Sequence, residues 1–575
     1  MNKNFYKTIF SKTRGEMIAV AENVSAAGQS AHRTVSTAQV QIEAVTERSL
    51  CLKVLSFSMM LWAGTAVLVT PVTLTHANVV ADPNAAGNQR PTIMNSANGI
   101  IQVNIQTPTQ SGVSMNQYQQ FDVNQQGVIL NNSRQNTQTQ LAGYIQANPW
   151  LVGGEAKVIV NQVNSTQASQ LNGYIEVGGK KADVIIANTA GIRVDGGGFI
   201  NAGGVTLTTG NPILDQGNLT GFQIRDGLIN ITGQGLDTSS SDYTRLLSHA
   251  AQINAGIWAK DLKIVTGQND IDQNDNISIA ANAQSLNTPQ FAIDTGSLGG
   301  MYAGKISLIS TEKGVGINNA GQVFASAGNI KISADGQLQN SGSVIAQHTA
   351  DPSQATLDIQ AKELNNSGSI SSLAKQSIHT DQLTNTGLIA TSAELNIRNT
   401  VQISNEGELN AGRIDIETQT LKNQSGQIVQ TGLQDLAIES GTLLNSANAL
   451  IGYTEVNTST GTGSSGGTTG GNNTNNKAPT TATGGGGTTS ANTSLTTSYV
   501  QGKIKANTVE NEQGQITANG GVDLTTSQAL TNAGTLNLNR LVAEGTLLQN
   551  TGILSSQTFQ AKVDALKNNQ GKIYV

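Results

Sequence analysis

Several residue sets in this chain have types and spacings that support chemistry. Gly461-Thr-Gly463-Ser-Ser-Gly466 fits a dinucleotide fingerprint, in which glycines let a backbone approach a pyrophosphate at a helix N-terminus. No strand signal precedes it and no helical pattern follows, so the match is a product of Gly-rich composition. Asp195-Gly-Gly-Gly198 hints at a calcium-binding turn, but the nonapeptide repetition that would supply enough oxygen ligands is missing. The histidines (His32, His76, His249, His348 and His379) are isolated, and no pair has metal-ligand spacing. Asp358, Asp415, Glu417 and Asp435 would serve acid–base hydrolysis if they converged on one groove. Nothing in their spacing brings them together, and they read as solvated outward residues. No catalytic residue, cofactor or metal is predicted, and the chain reads as a non-enzyme.

The elements that carry these residues are more informative. An Asn-x-Gly landmark followed by an aliphatic residue returns about every twenty residues: Asn340-Ser-Gly342, Asn366-Ser-Gly368, Asn385-Thr-Gly387, Asn405-Glu-Gly407, Asn532-Ala-Gly534 and Asn550-Thr-Gly552. Longer versions run Asn423 to Gly426, Asn511 to Gly514 and Asn569 to Gly571. Between them lie alternating runs such as Thr356-Leu-Asp-Ile-Gln360 and Arg413-Ile-Asp-Ile-Glu417. Period-two alternation means strand, and Asn or Gly at fixed offsets means turn. The pattern predicts an all-β fold, a right-handed parallel β-helix with repeats of about twenty residues. Gly is expected to turn each corner through φ > 0, and Asn through the left-handed region. On the order of twenty coils are expected at about 4.8 Å each.

Composition agrees. Charged residues are 12% and aromatics 4%, whereas Asn, Gln, Ser, Thr and Gly abound, as suits amide ladders stacked along a coil. Net charge is −6 with no Lys/Arg-rich run, which disfavours nucleic acid as a partner. The only cysteine is Cys51. It lies in a segment expected to be removed, so stability must come from strand stacking.

Leu52 to Leu74 is mostly apolar and is followed by Thr75-His76-Ala77. This is the order of a secretory signal, with cleavage expected after Ala77 and the Sec translocon as export partner. The lead before it is unusually long. Met1-Asn-Lys-Asn-Phe-Tyr-Lys-Thr-Ile-Phe10 and Arg14-Gly-Glu-Met-Ile-Ala-Val-Ala-Glu22 resemble the extended signal peptide region of large Gram-negative exported proteins. Farther on come Asn98-Gly-Ile-Ile-Gln-Val-Asn-Ile105, Gln140-Leu-Ala-Gly-Tyr-Ile145, Asn148-Pro-Trp-Leu151, Ala182-Asp-Val-Ile-Ile-Ala-Asn188, Gly191-Ile-Arg-Val194 and Ala250-Ala-Gln-Ile-Asn-Ala-Gly-Ile-Trp258. Together these resemble the two-partner secretion exoproteins of the filamentous haemagglutinin and contact-dependent inhibition (CdiA-like) branch. The resemblance runs in register to about Gly342 and beyond that by repeat type.

The resemblance implies that an outer-membrane β-barrel transporter with POTRA domains recognises a secretion domain at residues 78–300. Asn148, Pro149, Leu151, Asn188 and Gly191 are its expected recognition residues. The family's paired landmarks read Asn-Pro-Asn-Leu and Asn-Pro-Asn-Gly, and here they are Asn148-Pro149-Trp150-Leu151 and Asn188-Thr189-Ala190-Gly191. Losing proline from the second frees φ and restores an N–H donor. The expected division is an extended signal at 1–77, the secretion domain at 78–300 and haemagglutinin-type repeats at 301–456. A low-complexity loop or linker at 457–498 and further repeats at 499–575 complete it. Because the chain stops at Val575 inside a repeat, a truncated sequence is expected. The implied function is a secreted or surface-displayed haemagglutinin-like adhesin. The alternative is the stalk of a contact-dependent toxin-delivery protein, and a β-helical polysaccharide-degrading enzyme comes third. The residues name no receptor.

Overall fold

The computed structural model describes residues 6–11, 16–21, 78–280, 289–432, 434–453, 502–517 and 522–575. The chain divides into two units, Met1–Thr73 and Leu74–Val575. In the first, the strands Tyr6–Ser11 and Glu16–Ala21 pair antiparallel. The apolar run, the cleavage position after Ala77 and the low-complexity stretch lie outside the described residues.

The second unit is a parallel β-solenoid of about 16 turns, built as expected from short alternating strands. One coil illustrates the plan: Lys305–Ser310, Gly316–Asn319 and Gln322–Ala325 follow one another on three sides. Each strand then pairs in parallel with its counterpart in the next coil. Alternation sends every second side chain inward. The core is therefore three aliphatic columns, exemplified by Leu308–Ile332–Ile359–Ile378, Ile317–Leu338–Leu364–Leu383 and Val323–Val344–Ile370–Ile389, all buried.

There are fewer turns than the period implied because some coils are long. Leu357 pairs with Gln376, Gln376 with Leu395 and Leu395 with Ile414. Val113, by contrast, pairs with Val158, and Leu262 with Ile306. The surplus residues of the long coils leave the solenoid. Thr137–Thr139 and Gly143–Ile145 make an antiparallel hairpin. Asn211–Asp215, Asn218–Gln223, Asn269–Asp272 and Ile277–Ile279 make a four-stranded antiparallel sheet. Phe222, Ile224 and Ile271 of that insertion pack on Val113, Met115, Val160, Ile185, Leu247 and Val265. Those coil residues face outward, opposite their buried neighbours such as Ile159, Val184 and Ile264, so the sheet gives one side of the rod a second core. At the start of the unit, Asn78–Ala81 pairs antiparallel with Val113–Asp122, and Thr92–Asn95 with Ile101–Asn104. Antiparallel cover of this kind blunts an open strand edge.

At the landmarks the structure corrects the expected physics. Gly342, Gly368, Gly387, Gly407, Gly534 and Gly552 do not have positive φ. They are glycine because successive corners stack too closely for a Cβ. A Cβ on Gly387 would lie 2.1 Å from the Gly368 carbonyl oxygen, and one on Gly407 2.1 Å from that of Gly387. The left-handed conformation appears only in the longer landmarks, on the residue before the glycine: Ser425 (φ 58°), Gln513 (φ 60°) and Gln570 (φ 61°).

The landmark asparagines are not left-handed either; they form a ladder. Each Nδ2 donates to Oδ1 of the asparagine in the next coil, from Asn319 to Asn340 (2.8 Å), Asn366 (2.7 Å), Asn385 (2.7 Å), Asn405 (2.8 Å) and Asn423 (2.8 Å). It continues through Asn445 (2.9 Å), Asn511 (2.9 Å), Asn532 (2.8 Å), Asn550 (2.8 Å) and Asn568 (2.8 Å). The step from Asn445 to Asn511 passes the low-complexity stretch without a break, because Leu436 pairs directly with Gly502 and the coils on either side stack on each other.

Substituting Asn405 by Ala leaves the buried Oδ1 of Asn423 without its donor and should destabilise the folded rod by about 1–3 kcal/mol. The expected readout is a lower guanidinium midpoint with unchanged export. Gln376 gives the opposite sign. It stands between Leu357 and Leu395 in an aliphatic column, fully buried, with neither amide atom hydrogen-bonded. Gln376→Leu should raise the midpoint, by about 1–3 kcal/mol of relieved desolvation. A midpoint that falls would mean that the amide has a partner in solution.

Candidate functional site

The two landmark turns of residues 78–300 are built alike. Asn148 precedes the 3-10 turn Pro149–Leu151; its Oδ1 accepts the Trp150 N–H at 3.0 Å and its carbonyl accepts the Leu151 N–H at 3.2 Å. Asn188 ends the strand Ala182–Asn188; its Oδ1 accepts the Ala190 N–H at 2.9 Å and its carbonyl accepts the Gly191 N–H at 3.0 Å. In each case the side chain closes an Asx turn and the backbone closes a β-turn over it. Pro149 and Thr189 occupy the same place, and neither donates one of these closing bonds. Replacement of proline by threonine therefore leaves the turn chemistry intact, because asparagine supplies it.

Both amides also reach across coils. Asn148 Nδ2 donates to the carbonyls of Ile105 and Asn131, each at 2.9 Å. Asn188 Nδ2 donates to the Gln167 carbonyl and to Ser169 Oγ, each at 3.0 Å. Asn148, Asn188 and Leu151 are buried, whereas Pro149 is exposed. Gly191 has φ 119°, and a Cβ there would lie 3.0 Å from the Leu228 carbonyl oxygen. The two turns have no hydrogen-bond partner in common. The structure thus places the five residues in two separate coil corners, each tying a turn to its neighbours.

Sequence reasoning missed a set of buried polar side chains beside these turns. Asn132 donates to the Ala156 and Lys180 carbonyls (3.0 and 2.8 Å) and accepts the Ala156 N–H (2.8 Å). Tyr118 donates to Asn161 Oδ1 at 2.9 Å, and burial pushes its phenol well above the usual range, so it remains a donor. The doubled Asn131-Asn132 at a strand end was the available signal. Thr189 and Ala190 border a depression together with Asp226, His249, Phe291 and Asp294. The buried His249 ties coils there, with Nε2 3.0 Å from Glu312 Oε2 and Nδ1 3.7 Å from Asp226 Oδ1.

Of the four carboxylates weighed for catalysis, three are ion-paired and the fourth, Asp358, is exposed. Asp415 is held by Arg398 (3.1 Å) and Arg413 (3.3 Å), Glu417 by Arg398 (3.5 Å) and Asp435 by Lys503 (3.2 Å). Asp195 Oδ1 accepts the Gln234 N–H at 3.0 Å at a bulge between coils. A groove of about 630 Å³ runs across several coils past His379, Asp381, Arg398 and Glu417. Its Asp335 is paired with Lys362 at 2.8 Å, and its Asp381 accepts from Thr400 Oγ1 at 2.7 Å.

Residues 77–340 match the TPS secretion domain, and residues 1–47 match the extended signal peptide of type V secretion systems. The Toxin CdiA of Yersinia pestis is 50% identical over 346 residues, which are 60% of this chain and 10% of that protein. The tRNA nuclease CdiA-2 of Burkholderia pseudomallei is 44% identical over 346 residues, 60% of this chain and 11% of that one. The matched stretch is thus about a tenth of these relatives' length. Among solved structures, the filamentous hemagglutinin secretion domain is similar at 25% identity over 55% of this chain and 95% of that chain, with a TM-score of 0.42. The chain thus carries a TPS secretion domain and an extended signal peptide region, is similar to CdiA proteins over its matched residues, and is an exported protein, secreted or surface-associated.

Proposed function

We propose that an outer-membrane transporter with POTRA domains recognises the segment around Asn148, Pro149, Leu151, Asn188 and Gly191, and that the solenoid behind it is a non-enzymatic shaft. The observation that carries this reading is the way the two asparagines are used. Their amides bond to strands of neighbouring coils, and in an unfolded chain those donors and the strand backbone are open to another partner. A strand-rich unfolded segment can add to an exposed sheet edge of the transporter. Once outside, each coil needs only its predecessor as a template, and the same groups turn inward. In cells with the cognate transporter, deleting residues 140–200 should abolish appearance of the protein outside the cell. Unchanged export would sink the proposal. Asn148→Ala and Asn188→Ala separate recognition from folding. A recognition role lowers the exported amount, whereas a purely structural one leaves export intact and lowers stability by about 1–3 kcal/mol.

For the shaft we favour contact-dependent toxin delivery over a haemagglutinin-like adhesin, because the relatives at 50% and 44% identity are named as a toxin and a tRNA nuclease. The ion-paired carboxylates give no support to a polysaccharide-degrading enzyme. A producing strain grown with sister cells that lack its immunity functions should inhibit their growth, and deletion of the gene should remove the effect. Aggregation of cells or binding to erythrocytes without growth inhibition would return the adhesin to first place.

A further inference from the structure

Aromatic residues are scarce in this chain, yet three of them stand in one outward column on three consecutive coils. Trp258 pairs in register with Tyr302, and Tyr302 with Phe324. Their neighbours Ile257, Met301 and Val323 are buried, so alternation turns the three rings outward. The column extends to Ile345 at one end and to Asp237 at the other. Beyond Asp237 lies Gly198, whose space is taken by the ring of Tyr174. Tyr174 donates its hydroxyl to Asp237 Oδ2 at 3.2 Å and is 38% exposed. Trp258 is 42% exposed. The Trp258 and Tyr302 rings have centroids 6.2 Å apart and planes within 14°.

The residues beside the column keep these rings accessible. Gly256 and Gly300 are paired with each other, and a Cβ on either would run into the Trp258 or Tyr302 ring, at 2.5 and 2.6 Å respectively. The next position along that side column is Gln322, whose Oε1 accepts the Tyr302 hydroxyl at 3.1 Å. On the other flank stand Lys260, Gly304 and Ser326. The result is a row of rings one residue wide, set among glycines and hydrogen-bonding side chains.

We propose that this row, Tyr174–Asp237–Trp258–Tyr302–Phe324, is a binding platform for an extended, neutral oligosaccharide of pyranose sugars. Width decides among occupants. A stable protein–protein contact needs on the order of 1,000 Å² of well-packed surface, and a row one side chain wide between glycines and polar groups does not supply it. A membrane surface needs a broad apolar face or a cluster of cations, whereas the cation on this flank, Lys260, is engaged by Asp242 at 3.4 Å. A single glycan chain is one ring wide. The apolar faces of its sugars stack on aromatic rings, and its edge hydroxyls meet Asp237, Gln322 and Ser326. Successive coils repeat the row about every 4.8 Å, so neighbouring sugars meet neighbouring rings. The proposal needs only the folded rod and is independent of how the transporter recognises the chain.

Trp150 and Trp258 are the tryptophans that follow Ala77, so the part of the emission that Trp258→Phe removes reports on the row. Adding cellohexaose or chitohexaose to the exported, folded protein should shift that emission saturably. Tyr302→Ala should weaken the response at least about tenfold. By pull-down without the reporter, Trp258→Ala should bind as weakly and Trp258→Phe should retain binding. Circular dichroism should remain unchanged in each variant. Intact against deglycosylated animal cells, and bacteria with against without O-polysaccharide, then separate a host source from a bacterial one. The proposal is overturned by no shift with any neutral oligosaccharide of a panel, by binding that survives the Trp258→Ala/Tyr302→Ala double variant, or by a shift produced instead by phosphatidylcholine vesicles. Loss of self-association on sedimentation of the double variant, without any glycan response, would also overturn it by making the row a contact between copies.

Discussion

The architecture depends on how closely one coil corner can sit on the next. Parallel strands stack about 4.8 Å apart, and at each corner the chain must turn within that height. The glycine column meets this requirement by omitting side chains, with each Cβ position about 2 Å from the carbonyl below it. The asparagine ladder meets it by filling the inside of the corner with one amide per coil. Each Nδ2 has two hydrogens. In Asn385 they serve Asn405 Oδ1 at 2.8 Å and the carbonyls of Gly387 and Glu408 at 3.2 Å. A buried amide left unbonded would cost about 1–3 kcal/mol, so the ladder makes the position of every corner conditional on the one before it. A one-residue slip would reverse the alternation and expose the aliphatic columns. Register is thus held twice, by the amides and by the core.

Where the chain departs from this period, it adds rather than breaks. The coils from Val113 to Ile306 carry the hairpin and the four-stranded sheet as insertions at corners, and the strands on either side remain paired. The sheet then covers outward apolar residues of several coils, a second layer not found on the later coils among the described residues. The secretion domain therefore includes coils that are covered on one side and closed by antiparallel strands at their start. Its landmark asparagines also bond to backbone carbonyls and a serine hydroxyl rather than to one another.

Fold class, strand content and the aliphatic columns were legible because alternation and the landmark period are local patterns. The reason for each glycine was not, since the clash between Gly387 and the Gly368 carbonyl exists only once the coils are stacked. Nor was the four-stranded sheet. Gly221 pairs with Asp272 across a long separation, and each of those segments alternates like any coil strand. The aromatic row is similarly hidden: Trp258, Tyr302 and Phe324 align in space although an insertion makes their spacings in the chain unequal. Asn148 and Asn188 were legible as turn residues. That their amides reach other strands required the neighbours to be in place.

The ladder has a direction, and this bears on how such a rod is made. Every donor points toward the later coil, from Asn319 onward, so a coil already formed presents an Nδ2 to which the next arriving asparagine brings an acceptor. At the early end, Asn319 pairs in register with Thr295, and neither Asn319 Oδ1 nor Thr295 Oγ1 has a hydrogen-bond partner. The ladder thus starts at a rung where a hydroxyl replaces the amide, within the stretch that matches the secretion domain. Adding a coil costs the ordering of about twenty residues and returns three strand pairings, an aliphatic layer and one amide rung together. No coil gains these without a folded neighbour, so a chain whose folding starts at its closed end proceeds in the order of its sequence. These coils contain no cysteine, so no disulfide step interrupts that order.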